Sequence, residues 1–154
     1  MSLKFNKVLI ACDHAGFDLK QIIVKNISQH YFGLEVADLG CYNGDQSQDY
    51  PDFAQKLCSQ IDESDKIAGI LICGSGIGMS IAANRFAHIR AALCYDISAA
   101  QLSRNHNNAN ILCLGARFTD DNLACQIVSK FLEESFLKGR HLNRIRKITQ
   151  DVTN

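Results

Sequence analysis

Two kinds of hydrophobic segment alternate along the chain. Five short apolar runs occupy residues 8–12, 34–39, 67–73, 89–94 and 110–115. Continuous apolar runs of this length are typical of strands that are covered on both faces. Segments with helical spacing of apolar residues follow these runs, at 16–31, 52–61, 77–86, 97–104 and 122–136. The alternation predicts an α/β fold in three αβα layers, with a doubly wound, Rossmann-like parallel sheet of five strands.

A sixth helical segment is predicted at the C-terminal end, over residues 139–152. Its apolar positions share one side: Leu142, Ile145, Ile148 and Val152. Its basic positions share the other side at i, i+4, i+7 spacing: Arg140, Arg144 and Lys147. No internal repeat or linker divides the chain, so we expect one domain over 1–154, with this tail helix packed on it or on a neighbouring subunit. Three polar residues near helix starts are expected to be N-caps: Asp52, Asp96 and Thr119.

Composition narrows the class of protein. The 154 residues carry 16 basic and 16 acidic side chains, so no overall field attracts the chain to nucleic acid or anionic lipid. No apolar run approaches the roughly 20 residues that span a bilayer, and no secretory signal is evident, so we expect a cytoplasmic protein without a membrane partner. Seven cysteines, an odd number in mostly apolar surroundings, indicate reduced buried thiols. No Cys-x-x-Cys pair occurs, and we expect no metal site.

Polar and glycine-rich segments follow the first and third predicted strands, where open parallel sheets bind ligands. Asp13 and His14 follow the first strand and suit a sugar hydroxyl and a phosphate, although Asp13 also suits a helix cap. Cys73-Gly-Ser-Gly-Ile-Gly78 follows the third and leads into a helix, an arrangement that favours an anion or a developing oxyanion. The spacing matches neither a dinucleotide fingerprint nor a P-loop. The helix start and loop amides favour the Cys73 thiolate, a base or nucleophile, whereas we expect the other six thiols to be inert.

Two further segments carry candidate chemistry. Residues 105–110 hold four Asn around His106, a composition that predicts a turn. A histidine at the mouth of an α/β site is a candidate general acid–base, although an isolated one is usually a solvated surface residue. Arg140 and Arg144, one turn apart, suit a phosphate monoester. The basic tail also suits nucleic acid, but it lacks interleaved aromatic residues, so we expect no nucleic-acid partner.

Six short motifs in this order resemble the ribose-5-phosphate isomerase type B family, which includes the lactose-pathway galactose-6-phosphate isomerase subunits. The resemblance covers roughly residues 7–149. Its markers are Cys-Asp-His-Ala-Gly-Phe at 12–17, Asp-Tyr-Pro at 49–51, Ile-Cys-Gly-Ser-Gly-Ile-Gly at 72–78, Ile-Ala-Ala-Asn-Arg at 81–85, Ser-Arg-Asn-His-Asn at 103–107 and Gly-Arg-His at 139–141. It implies a cofactor-free aldose–ketose isomerisation of ribose 5-phosphate and ribulose 5-phosphate, in the pentose phosphate pathway. Its sites are shared between the subunits of a homodimer or of a tetramer.

The resemblance implies a role for each matching residue. Cys73 is the base that moves a proton between C1 and C2; in one branch of the family a Glu serves instead, but here that position is Met79. His106 opens the furanose ring. Substrate binding is assigned to Asp13, His14, Tyr50, Gly74, Ser75, Gly76, Ile77, Gly78, Asn107, Arg117, Arg140 and Arg144. Within this set the residues 74–78 hold the enediolate oxygen through backbone N–H groups, and His14 with the three arginines binds phosphate, partly across the dimer interface.

Two alternatives stay open on the sequence alone. One is a six-carbon substrate, allose 6-phosphate or galactose 6-phosphate, because pocket length is poorly encoded in a sequence. The other is a non-catalytic α/β module that binds a nucleotide or phosphorylated metabolite through the glycine loop. Cys73 argues against the second alternative, because a phosphate cradle does not need a thiol at the strand end.

Overall fold

The predicted strands form one parallel sheet. The computed structural model describes residues 3–148. Its strands are β1 (Lys7–Cys12), β2 (Glu35–Asp38), β3 (Ile67–Cys73), β4 (Ala91–Leu93) and β5 (Ile111–Gly115). They lie in the order β2-β1-β3-β5-β4, and every neighbouring pair is parallel. The predicted five-stranded parallel sheet is therefore confirmed, with β2 and β4 at its edges.

Helices cover both faces of the sheet. They are α1 (Phe17–His30), α2 (Tyr50–Cys58), α3 (Ile77–Ala83), α4 (Ile97–Asn107), α5 (Asp121–Glu133) and α6 (Arg140–Ile148). Strand residues alternate between two core clusters: Val8 and Ile10 of β1 pack with apolar residues of α1, α4 and α5, while Leu9 packs with those of α2 and α3. The predicted three layers are confirmed. Among residues 3–148, the helices are all too short or too polar to cross a membrane.

Two of the three predicted N-caps are wrong. Asp96 caps α4 as expected, accepting the Ala99 N–H at 2.7 Å. Asp52 instead lies in the first turn of α2, because Pro51 starts that helix earlier, where its missing N–H costs nothing. The hydroxyl of Thr119 is buried and has no hydrogen-bond partner among the described residues. Its neighbour Asp120 caps α5, because an extended backbone there lets the carboxylate accept the Leu123 N–H.

Helix α4 extends three residues beyond its predicted end, through much of the Asn-rich segment. The Asn105 amide is buried and donates to Glu134 and to the Ser135 carbonyl, so its polarity is satisfied within the fold. The turn starts only at Asn108, in the left-handed region with φ 44°. The four asparagines led to the prediction of a turn, because the hydrogen-bond partners that Asn105 finds within the fold cannot be read from the sequence.

The described C-terminal helix, α6, buries only part of the predicted apolar side: Leu142 is half-buried, and the polar His141 joins the buried side. His141 and Ile145 are buried, whereas Ile148 is 62% exposed. Residues 149–152 of the predicted helix, including Val152, lie outside the described part of the chain. The basic positions Arg140 and Arg144 are exposed, as their spacing predicted.

The cysteines are free thiols in this fold. Burial raises the pKa of Cys12 and of Cys58 to about 12 and that of Cys94 to about 11. Burial also raises the pKa of Cys113 well above its usual value and, to a smaller degree, that of the half-buried Cys125. A thiol held in its protonated form is a poor nucleophile and base, which agrees with their expected inertness.

Candidate active site

Cys73 is the last residue of β3 and opens onto the glycine loop, residues 74–78. Its side chain is buried, 4% exposed, and its Sγ accepts the backbone N–H of Gly76 at 3.1 Å. A hydrogen bond donated to sulfur stabilises the anionic form of the acceptor. The thiol is thus held at the carboxyl edge of the sheet by the loop that follows it.

The loop's conformation depends on glycine. Gly76 has φ 78°, in the left-handed region, and a Cβ atom there would lie 2.5 Å from Leu93 Cδ1. A Cβ atom at Gly115 of β5 would lie 2.5 Å from the carbonyl oxygen of Ser75. The loop therefore packs against the ends of β4 and β5 more closely than a side chain permits.

Some of the loop's N–H groups already have partners within the chain. The Gly76 N–H is bound to Cys73, and the Ile77 N–H donates to Ser75 Oγ at 3.2 Å. The following helix α3 has only seven residues, so the amides, rather than a long helix dipole, supply the positive potential here. The Tyr95 hydroxyl donates a hydrogen bond to the Ser75 carbonyl at 2.7 Å, which stabilises the loop on its solvent side.

Asp13 and His14 follow β1 at the same edge. The Asp13 carboxylate accepts the N–H groups of Ala15 and Gly16, so it is the cap that its position suggested. Burial raises the pKa of Asp13, against the opposing effect of those N–H groups and of nearby His14 and Arg117. His14 accepts the Gln48 N–H on Nδ1 at 3.2 Å, which leaves Nε2 to carry the hydrogen of the neutral ring.

Tyr50 and Arg117 lie against opposite ends of the glycine loop. The Tyr50 ring, at the start of α2, is so close to Gly78 that a Cβ there would be 2.5 Å from Cζ. The Arg117 guanidinium, just beyond β5, lies over Gly74, where a Cβ would be 3.1 Å from Nη1. Both side chains are exposed beside the loop. The structure therefore brings Asp13, His14, Tyr50, Cys73, Gly74, Ser75, Gly76, Ile77, Gly78 and Arg117 to one edge.

The remaining predicted site residues lie at the opposite edge. Helix α4 runs antiparallel to the strands, so His106 and Asn107 in its last turn lie near the start of β5, where Asn110 bonds the Arg90 carbonyl. Helix α6 packs on this end of α4, because the rings of His106 and His141 stack there. Arg140 and Arg144 lie on α6 and are therefore at the same edge of the sheet as His106 and Asn107. The expectation that His106 sits in a turn at the mouth of the Cys73 site is wrong within one chain.

The two groups are too far apart to act on one small molecule within a single chain. Strand β3 has seven residues and ends at Cys73. At about 3.3 Å per residue, it separates the two edges of the sheet by roughly 20 Å. A proton transfer requires heavy atoms about 3 Å apart. One chain thus carries two incomplete sets of groups, which we call the carboxyl-edge group (the ten residues above) and the amino-edge group (His106, Asn107, Arg140 and Arg144).

Two residues that the sequence analysis did not single out, Lys20 and His141, support the segments that carry these groups. Lys20 is fully buried and donates to both oxygens of Asp38 and to the Cys41 carbonyl, which fixes the segment leading toward Tyr50. Its place in the buried stripe of α1 with Ile23 and Ile27 was a visible signal. No group of His, Cys, Asp and Glu among residues 3–148 is arranged to hold a metal ion.

Comparison with known proteins identifies the family. A family model described as Ribose/Galactose Isomerase matches residues 8–148, which is most of the chain. The chain belongs to the ribose/galactose isomerase family. Within that family, a Rickettsia bellii protein described as a putative sugar phosphate isomerase is 47% identical over 146 residues, covering 95% of this chain and 99% of that protein.

Solved members of the ribose/galactose isomerase family share the fold. Ribose 5-phosphate isomerase B from Anaplasma phagocytophilum is 42% identical, with a TM-score of 0.90 over 96% of this chain and 99% of that one. Ribose-5-phosphate isomerase B from Mycoplasma genitalium, solved with bound ribulose-5-phosphate, is 44% identical, with a TM-score of 0.88 over 93% of each chain. The fold of residues 3–148 is therefore that of the family.

Proposed function

We propose that this protein interconverts ribose 5-phosphate and ribulose 5-phosphate, with the Cys73 thiolate as the base. The observation that carries the proposal is the Cys73 sulfur at the end of β3, receiving the Gly76 N–H at 3.1 Å. It supports this reaction because the chain is a ribose/galactose isomerase family member. Two of its solved relatives are type B ribose 5-phosphate isomerases, one of them with ribulose-5-phosphate bound.

The reaction needs one base that reaches two adjacent carbons. The Cys73 thiolate takes the proton from C2 of open-chain ribose 5-phosphate, and the freed electron pair forms the C1–C2 double bond as charge moves onto O1. The thiol then returns the proton to C1, while the hydroxyl proton on O2 moves to O1 and leaves the ketone. No electrons enter or leave, so the chain's own acid–base groups suffice.

Backbone N–H groups of the glycine loop stabilise the negative charge that collects on O1. Gly74, Ser75 and Gly78 are the primary donors, since the Gly76 amide supports the thiolate and the Ile77 amide is held by Ser75 Oγ. Removing one such donor from an enzyme costs about 10²–10³ in turnover. The loop thus stabilises both the Cys73 thiolate and the negative charge on O1.

Side chains of the carboxyl-edge group bind the rest of the substrate. Asp13 and Tyr50 contact sugar hydroxyls, and His14 and Arg117 bind the phosphate. The position of His14 and Arg117 supports this division, because both act to lower the pKa of the Asp13 carboxyl and therefore lie near it. A guanidinium offers a fork of donors that suits phosphate oxygens.

A second copy of the chain completes the site as a homodimer. The amino-edge group supplies His106 for ring opening, Asn107 for a sugar contact, and Arg140 with Arg144 for the phosphate. One chain needs a partner because its own amino-edge group is about one strand length, roughly 20 Å, from Cys73.

The β4 edge of the sheet is where we place that partner. Ile77 and Ile81, one turn apart on α3, are 51% and 63% exposed beside β4. On the same side but nearer the amino edge of the sheet, Ile148 lines a cleft of about 200 Å³ with Asn84 and Asn107. A two-fold axis perpendicular to the strands at this edge reverses the partner, so the carboxyl edge of one copy faces the amino edge of the other.

The test is direct. The purified protein is incubated with ribose 5-phosphate in EDTA and ribulose 5-phosphate is measured; we expect turnover. Allose 6-phosphate and galactose 6-phosphate, run in parallel, test the six-carbon alternative, and faster turnover of either would reassign the substrate. Absence of any isomerisation would leave the phosphometabolite-binding alternative. We place the activity in the cytoplasm, where free thiols such as these stay reduced.

A further inference from the structure

His141 belongs to the Gly-Arg-His motif but has no role in the proposed reaction. Its imidazole stacks on that of His106, with ring centroids 4.2 Å apart and ring planes 8° from parallel. His141 is 8% exposed, although the arginines one residue before it and three after it are exposed. Helix α6 therefore turns this one side chain inward, onto the proposed ring-opening residue.

The stack is the contact that orients the His106 ring. Catalytic histidines are usually held by a hydrogen bond to one ring nitrogen. Among residues 3–148, no hydrogen bond reaches either ring nitrogen of His106, and the His141 ring is its aromatic contact. Both nitrogens of His106 therefore stay available to the sugar, while the flat face of a second ring fixes the plane in which they lie.

Positive charges lie near the His141 ring and distinguish its role from that of His106. Partial burial lowers the pKa of His141, and so do the nearby positive charges of His106, Arg140 and Arg144. Nearby Arg104 lies over the rings of Phe5 and Phe131, and Glu134 accepts a hydrogen bond from Asn105. A neutral aromatic ring can accept a stacked cation on its face, but a second cation would repel it.

From this geometry we infer that His141 is a positioning residue: its ring holds the His106 imidazole flat against α6 while His106 transfers the proton of ring opening. This inference rests on the proposed function. It predicts that the aromatic face of residue 141 matters for ring opening, whereas its nitrogens do not.

Two measurements on the same variants separate ring opening from the base. Turnover of ribose 5-phosphate requires its furanose to open. Ribulose 5-phosphate cannot form a furanose because its C5 oxygen carries the phosphate, so exchange of its C1 hydrogen in D₂O needs only the base. We compare His141→Ala, His141→Phe and His106→Asn, with Asn143→Ala on an exposed face of α6 as the matched control.

We expect His141→Ala and His106→Asn to lose about ten-fold or more in kcat on ribose 5-phosphate, as for loss of acid–base help, while C1 exchange stays near wild type. His141→Phe should restore most of the kcat, and Asn143→Ala should change neither rate. In proton NMR, the His106 ring signals should move in His141→Ala but little in His141→Phe, because a stacked ring shields them.

Three results would overturn the inference: wild-type turnover in His141→Ala, equal losses in the Ala and Phe variants, or equal losses of turnover and C1 exchange in His141→Ala. Thermal melting identifies any variant that is unfolded; the ring signals in the Phe variant then still test the stack. A wild-type protein that neither turns over ribose 5-phosphate nor exchanges C1 hydrogen would refute the proposed function instead, and the NMR result would stand apart from it.

Discussion

At the scale of single residues, one thiol differs from the others in its surroundings rather than in its burial. Cys73 and Cys12 are both buried and both receive a backbone N–H, from Gly76 and Cys41 respectively, but the Cys73 sulfur opens onto a glycine loop. Cys12 faces the sulfur of Cys41 at 3.8 Å, and burial raises its pKa to about 12. In the proposed reaction the cysteine at the end of β3 is the base, whereas the raised pKa of Cys12 keeps the thiol at the end of β1 protonated.

Removing the sulfur tests that difference. Cys73→Ala and Cys73→Ser should lower kcat on ribose 5-phosphate by about 10²-fold or more, since the proposed base is lost, with little change in the melting temperature. Cys125→Ala, at a half-buried thiol on α5, is the control and should keep full turnover. Turnover near wild type in both Cys73 variants would exclude this residue as the base.

Asp13 gives a prediction about pH. Burial raises its pKa, so the folded protein holds this proton more tightly than the unfolded chain does. Stability is then lost as the pH rises from the unfolded pKa, about 3.9, through the folded one. Asp13→Asn removes the buried charge but keeps an oxygen for the Ala15 and Gly16 N–H groups. It should melt higher than wild type at pH 7, with the difference shrinking toward pH 4.

Glu63→Gln, which removes an exposed carboxylate, is the control for Asp13→Asn and should leave the melting temperature almost unchanged at both pH values. A melting temperature of Asp13→Asn at or below that of wild type at pH 7 would contradict a net cost of burying this charge. The same variant should isomerise more slowly, because the proposed sugar contact is weakened.

At the scale of elements, the strand–loop–helix unit formed by β3, the glycine loop and α3 depends on close backbone packing. The loop presses against the ends of β4 and β5, so its shape is set by the sheet order as well as by its own sequence. Positioning of the thiol is thus a property of three strands, although the motif itself occupies six residues.

Gly76 and Gly33 both have positive φ, and a comparison of their alanine variants distinguishes backbone strain from steric crowding. Gly76→Ala should lose free energy of unfolding through both, because its Cβ would lie 2.5 Å from Leu93 and 2.8 Å from the Leu114 carbonyl carbon. Gly33→Ala has φ 85° but open space around the new methyl group, so it should cost only the left-handed strain, about 1–2 kcal/mol. Urea denaturation should show a larger loss for Gly76→Ala, and equal losses would show that the loop has room to move.

The sequence predicted elements that its local pattern determines. Five continuous apolar runs were enough for the parallel sheet, and the glycine spacing after Cys73 was enough for a tight loop. The Asn-rich segment was misassigned because the partners of Asn105 lie some 30 residues away, at Glu134 and Ser135. A cap such as Asp120 was missed by one residue, since both it and Thr119 can accept a backbone N–H.

The candidate site was predictable only as a set of residues, not as an arrangement. Motif order placed Cys73 and His106 in one catalytic set through the family resemblance. It could not show that α4 carries His106 to the amino edge, because the direction of a helix across a sheet follows from topology. The His141 stack was likewise hidden, since the apolar spacing of this helix does not show which ring a histidine beside it will contact.

At the scale of the whole molecule, the distribution of these residues supports the proposed homodimer. Each chain has a carboxyl-edge group around Cys73 and an amino-edge group around His106, with β3 between them. In the proposed dimer, the apolar side chains exposed beside β4 are the surface that the two-fold partner covers. A dimer of this kind contains two complete sites, each built from both chains.

Subunit mixing tests this claim most directly. Cys73→Ala and His106→Asn chains with different affinity tags are co-expressed, and the mixed dimer is purified through both tags. Each homodimer should be nearly inactive on ribose 5-phosphate. The mixed dimer should recover about half of the wild-type turnover, because one of its two sites then holds an intact Cys73 and an intact His106 from opposite chains. A mixed dimer no more active than the two parent variants would contradict the shared site.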